Sequence, residues 1–169
     1  MPLDTYPPPP TDNVEGTEES YKGVVVMWDS SKSGHATGMA GEFFVMEQLF
    51  RRGYEATLTL GNAKNIDILA YRPTDTTKKT KRISVKATVK GGKWTIGRDD
   101  LSGEDDMIFA FLRYKEFSDS YAPPDVYIVP APKAWNNALG WLNDTWAIYY
   151  SGKNAWPDLP NFKDTWQLI

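Results

Sequence analysis

Apolar and polar positions follow two periods along this chain, and the changes between them mark its elements. From about Gly38 to Arg52 the apolar positions Val45, Met46 and Leu49 recur three and four apart, which predicts a helix, and Gly53 suits its C-terminal cap. From Tyr54 to Leu60 the period falls to two: Ala56, Leu58 and Leu60 alternate with Glu55, Thr57 and Thr59, as in a strand. Gly61 to Asn65 turns the chain into a second strand, Ile66 to Tyr71, with Ile66, Ile68 and Ala70 on one face and Asp67 on the other. Pro73 to Thr80 is a polar turn. A third strand then places Arg82, Ser84, Lys86, Thr88 and Lys90 on one face and Ile83, Val85, Ala87 and Val89 on the other, and Gly91-Gly92 ends it. The apolar runs Met107 to Leu112 and Val126 to Val129 predict two buried strands. Pro132 to Leu142 suits a helix with proline in its first turn, and Asn161 to Ile169 a short terminal helix carrying Trp166. Lys22 to Trp28 reads as an added strand and Ser30 to Thr37 as a polar loop; no helix is legible between Gly91 and Asp106. The succession predicts an α/β or α+β sandwich.

Composition narrows this. A chain of 169 residues with 41% hydrophobic content is long enough for one domain with a sound core. Residues 21–169 are expected to form that domain. Residues 1–20, with four consecutive prolines from Pro7 to Pro10, read as a disordered polyproline-like tail. The start lacks a basic region followed by an apolar stretch, so no signal peptide is expected, and no apolar run approaches the ~20 residues of a membrane helix. The expected compartment is the cytoplasm, with no membrane partner. With no cysteine, disulfides, zinc–thiolate sites and cysteine nucleophiles are excluded; with His35 as the only histidine, so is any mechanism needing two.

The net charge of −3 argues against a uniformly basic coat, but the distribution is uneven. Between Thr76 and Arg98 the chain carries Lys78, Lys79, Lys81, Arg82, Lys86, Lys90, Lys93 and Arg98 and no acid. Such a patch attracts phosphate. The same lysines also suit a solvated edge strand, where they block edge-to-edge pairing.

Three residues carry candidate chemistry. Glu42 shares its helix face with Val45, Met46 and Leu49, and a carboxylate there is costly to bury unless a cation meets it. Asp67 and Lys86 lie on strands and face one cleft if those strands are neighbours. Two acids and a lysine, each beside core residues, suit a metal site built to hold a phosphate. Plainer readings stand beside this one: a turn-adjacent aspartate, a glutamate favourable to a helix dipole, and a strand lysine with its head in water.

The sequence resembles the PD-(D/E)XK nuclease superfamily from about Gly41 to Pro130. The likeness rests on Gly41-Glu42, on Arg51-Arg52-Gly53-Tyr54 at the helix end, on Gly61-Asn62-Ala63-Lys64-Asn65-Ile66-Asp67, on Val85-Lys86, and on Pro124 to Pro130 as a late strand. It implies a restriction-endonuclease-like sandwich with a central mixed sheet flanked by helices. It implies Glu42 and Asp67 as ligands of Mg2+ or Mn2+, the backbone carbonyl of Val85 as a further ligand, and Lys86 as the residue that orients the attacking water. Ser84 stands where the family has its second acid, which favours one metal over two; Ser84 and Thr88 are auxiliary candidates. Asn62, Lys64, Arg82, Lys90 and Lys93 are candidates for nucleic-acid contact. The function so implied is magnesium-dependent hydrolysis of phosphodiester bonds in DNA, in defence, restriction or mobile-element processing. A homodimer is compatible with it. The alternatives are a catalytically inactive nuclease-fold protein that binds nucleic acid or a protein partner, and an interaction protein in which Glu42 and Lys86 form a buried ion pair.

Overall fold

In a computed structural model, the structure describes residues 34–59, 65–77, 79–89, 91–97, 106–115, 122–140 and 145–169. The proline-rich tail, the run Lys22 to Trp28, and Asn62, Lys64 and Lys90 lie outside the described residues.

Helix α1, Gly34–Arg51, buries Thr37, Gly41, Val45 and Leu49, one residue per turn. It begins a turn earlier than the expected Gly38, because burial of Thr37 extends the core-facing stripe back into the polar stretch. Its end is the expected one. Gly53 takes φ 78°, its N–H donates to Phe50 O at 3.0 Å, and Tyr54 N–H donates to Leu49 O at 3.1 Å, the paired bonds of a Schellman cap.

Strands β1 (Glu55–Leu58), β2 (Ile68–Tyr71), β3 (Lys81–Thr88), β5 (Met107–Arg113) and β6 (Asp125–Pro130) form a mixed sheet in the order β1-β2-β3-β5-β6. Its pairs are antiparallel except β3 and β5, which run parallel from Arg82↔Met107 to Thr88↔Arg113. A second sheet has the order β4-β8-β7, from β4 (Lys93–Gly97), β7 (Leu139–Gly140) and β8 (Thr145–Tyr149). The fold is thus α+β. No helix among the described residues is long and apolar enough to cross a membrane.

Each face of the main sheet has its own core. Ile83, Val85, Ala110 and Leu112 pack beneath Val45 and Leu49 of α1. Phe109 and Phe111 pack on the other side against Trp94, Ile96 and Ile148 of the second sheet, with Ala131 and Ala134 of helix α2, Ala131–Asn137. Trp94 Nε1 donates to Leu112 O at 2.7 Å, tying β4 to β5.

Two expectations are corrected and one strand is added. β4 lies in the region where no helix was legible; its Lys-Trp-Thr-Ile alternation is only four residues long, yet Trp94 and Ile96 are fully buried. The helix expected to Leu142 stops at Asn137, because Leu139 and Gly140 pair with Ala147 and Trp146 of β8. The terminal helix is replaced by 3-10 turns at Leu159–Phe162 and Trp166–Leu168, separated by Asp164 at φ 54°. This C-terminal segment straps the outer side of β6: Tyr127 bridges Lys163, Asp164 N–H donates to Val126 O at 3.0 Å, and Thr165 Oγ1 donates to Ile128 O at 3.1 Å.

Candidate active site

β2 and β3 part at Ile68. Their ladder runs from Ile68↔Ile83 to Ala70↔Lys81, so β3 continues past Ile83 without β2 beside it. Asp67 stands at the fork. Its N–H still donates to Ile83 O at 2.9 Å, while its carboxylate reaches further along β3. Asp67 Oδ2 accepts the Val85 N–H at 2.6 Å and the Ser84 hydroxyl at 3.3 Å. A side chain thereby replaces the missing strand as acceptor for a backbone donor. The N–H and C=O of one strand residue point to the same edge, so the Val85 carbonyl also turns toward the gap that β2 leaves. Ser84, Lys86 and Thr88 share one face of β3 by alternation, and the Asp67 carboxylate reaches the Ser84 hydroxyl on it. The strand expected from Ile66 begins at Ile68 instead. Asp67 is held from behind by Thr59, whose N–H donates to Asp67 O at 2.9 Å and whose hydroxyl donates to Ile66 O.

Glu42 arrives from the helix. A Cβ built on Gly41 would lie 2.8 Å from Ala87 Cβ and 3.3 Å from Val85 Cγ1. Only glycine lets α1 rest this closely on the open half of β3, and Glu42 is the next residue. The Glu42 carboxyl titrates above its ordinary range. Burial is the main cause and the Asp67 charge the second, while His35 and Lys86 pull it down. All three groups therefore act on Glu42 electrostatically. His35 belongs to the first turn of α1 rather than to a preceding loop, seven residues before Glu42 and on the same side of the helix.

The remaining expected residues divide. Arg82 is bound by Asp106, with Nη2 to Oδ1 at 2.7 Å and Nε to Oδ2 at 3.2 Å, and its side chain is 22% exposed. That pairing ties β3 to the residue before β5 and competes with the expected phosphate contact. Lys93 lies on β4 with its ammonium 5.5 Å from the Tyr149 ring. Thr88 shares the Lys86 face, and its carbonyl accepts the Tyr114 N–H at 2.8 Å. The sequence marked Gly41 only as part of a motif and not as the helix's point of closest approach, whose signal was a glycine at a core-facing helix position. Sequence reasoning missed Arg113, a cation closing the otherwise buried run of β5; Arg113 pairs with Thr88 and stands 4.9 Å over the Tyr150 ring.

Among the described residues no group of three or more His, Cys, Asp and Glu side chains is placed to hold a metal. What the fork offers is two carboxylates and a carbonyl, all hard oxygens. Magnesium or manganese suits that set, since such ions bind through one or two carboxylates and keep several waters. The mutual repulsion of Glu42 and Asp67 is the feature of this site that a divalent cation would relieve. A hollow of about 530 Å³ lies on the other flank of α1, lined by Gln48, Arg52 and Asp125. There Asp125 is already paired with Lys163 at 2.7 Å and Lys115 at 3.1 Å. Burial alone would raise the Asp125 carboxyl, but hydrogen bonds from the two lysines outweigh it and hold it low.

No family model and no curated protein matches the chain. Several solved structures are similar to it, two of them nucleases of different kinds. One is the Holliday junction resolvase Hjc of Archaeoglobus fulgidus, at TM-score 0.46 and 14% identity, covering 66% of this chain and 83% of that one. The other is a bacterial homing endonuclease, at TM-score 0.49 and 15% identity, covering 81% of this chain and 91% of that one. Both are likenesses of backbone path, and neither assigns a role to a residue.

Proposed function

We propose that this protein hydrolyses phosphodiester bonds in DNA with the help of a divalent cation bound at the fork between β2 and β3. What supports the reading is the electrostatic link among the three residues: the Asp67 charge raises the Glu42 carboxyl and Lys86 lowers it, while Asp67 Oδ2 accepts the Val85 N–H at the fork. The PD-(D/E)XK resemblance supports the same assignment. Glu42, Asp67 and the Val85 carbonyl would hold magnesium or manganese, which when bound neutralises phosphate charge and makes water a better nucleophile.

The chain's own residues do the rest. Ser84, fully buried, gives its hydroxyl to Asp67 Oδ2 rather than standing as a vacant ligand position. With Val85 N–H on the same oxygen, Oδ2 is occupied and Oδ1 is left for the cation. Lys86 holds the attacking water and meets the negative charge that grows on the non-bridging oxygens. Two carboxylates balance the charge of one divalent ion, so the site is a one-cation site. Neutral donors suffice at 84 because the serine acts on Asp67.

The test is cleavage of plasmid and linear DNA with magnesium or manganese, with chelator and with Lys86→Ala. Expected is cleavage that needs the metal and is lost in the variant; cleavage that survives both would overturn the proposal. A second reading, a DNA-binding protein without cleavage, draws on the neutral Ser84 at the position of the second acid. Metal-dependent binding with no cut product would establish it in place of the first.

A further inference from the structure

Among the described residues, every arginine but one is engaged by a polar partner. Arg51 binds Glu47 at 2.7 Å, Arg52 binds Gln48 Oε1 at 2.6 Å, Arg72 donates to Tyr54 Oη at 2.9 Å and Arg82 takes both oxygens of Asp106. Arg113 differs. It is half-buried, it stands over the ring of Tyr150 at 4.9 Å, and no carboxylate among the described residues pairs with it. Asp125, its register partner across β6, is taken by Lys115 and Lys163. A guanidinium stationed over a ring, with no carboxylate among the described residues on it, is pre-organised for an oxyanion.

Its position says which one. Lys86 pairs with Phe111 and Thr88 with Arg113, so Arg113 lies two residues further along the neighbouring strand. Two residues of rise and one strand of spacing put its Cα about 8 Å from that of Lys86. Alternation puts both side chains on the face of Ser84, whose hydroxyl Asp67 accepts. Tyr150, which fixes Arg113, is itself packed on Trp94 at 4.6 Å, so the second sheet sets the guanidinium's place.

We infer that Arg113 binds the DNA phosphate next to the one that Lys86 serves. The site would then grip two successive phosphates, one at the fork and one at the edge of the second sheet. The inference rests on the proposed nuclease reading and sharpens its substrate: a polynucleotide strand, not a phosphate monoester.

The experiment measures DNA binding in calcium, which holds the substrate in many metal nuclease sites without turnover, for wild type, Arg113→Ala and Arg113→Lys. The DNA carries either natural phosphates or one uncharged methylphosphonate beside the cleaved position. Arg113→Ala is expected to weaken binding about tenfold, to lower the salt slope by about one ion, and to leave the melting temperature near wild type. Arg113→Lys should recover part of the affinity. The methylphosphonate should weaken wild type as much as the alanine does, and weaken Arg113→Ala no further. Wild type binding DNA while Arg113→Ala binds equally well, or while the methylphosphonate and the alanine add in full, overturns this inference alone. Wild type binding no DNA overturns the nuclease reading beneath it.

Discussion

The two ends of β3 are written in the same alternating pattern and sit in different surroundings. From Lys81 to Ile83 the strand is flanked by β2 on one side and, from Arg82 onward, by β5 on the other, and its outward cation, Arg82, is neutralised by Asp106. From Ser84 to Thr88 only β5 remains. There Asp67 takes a backbone N–H, the Val85 carbonyl faces the gap, and α1 comes closest to β3 at Gly41, the residue before Glu42. A charge on the closed half is spent on structure. On the open half lie Asp67 and Lys86, which act on Glu42 in opposite senses, and burial with the Asp67 charge raises the Glu42 carboxyl.

Substitution at the open end should give the largest effect. Lys86→Ala is expected to cut metal-dependent cleavage on the order of a hundred- to a thousandfold while leaving chemical denaturation unchanged, as seen by initial rates beside urea melts. Loss of stability in proportion to activity would make Lys86 part of the core instead. Asp67→Ala should do both kinds of damage. Cleavage is lost, and stability falls by about 1–3 kcal/mol because Val85 N–H loses its acceptor. Asp67→Asn, which keeps an oxygen acceptor, should return most of the stability and none of the cleavage.

Gly41→Ala tests how the helix is seated. Its methyl group would meet Ala87 at 2.8 Å, so α1 must shift. A loss of about 1–3 kcal/mol is expected, with a larger proportional loss of cleavage than of fold, since Glu42 moves with the helix. A fourth expectation concerns pH. Because the folded protein holds the Glu42 proton more tightly than the unfolded chain, that group favours folding in acid and loses this contribution as pH rises through its raised value. A cation at the fork removes the penalty. Magnesium should therefore raise the melting temperature little in mild acid and more as pH rises through that range; a metal effect that is flat with pH would separate Glu42 from the cation. Smallest of all, Arg82→Ala at the closed end should cost less than about 1 kcal/mol and leave cleavage nearly intact, the usual value of a partly exposed pair.

The strands that carry the candidate residues were legible because each is long or strongly alternating. The period-two run around Lys86 and the unbroken apolar run of β5 left little choice of element, and the glycine after Arg52 named the helix end. What stayed hidden depended on partners distant in sequence. Nothing local says that Ser84 gives its hydroxyl to Asp67, that Arg82 meets Asp106 rather than solvent, or that Leu139 leaves a helical pattern to pair with Ala147. β4 is short enough that its alternation resembles loop sequence until Trp94 is seen in the core. Arg113 looked like the polar end of a strand, and only the ring beneath it gives it a fixed direction.

The strap across β6 bears on how copies of this molecule can meet. β6 is the last strand of its sheet, and a bare outer strand offers a row of amides on which another chain can build. Here the outward carbonyls of Val126 and Ile128 are already taken by Asp164 and Thr165, and Trp166 is driven into the core behind them. The opposite border, β1, is only four residues long. Growth of the main sheet from one molecule to the next is thus hindered at both of its margins, which turns any self-association through this sheet away from its outer strands.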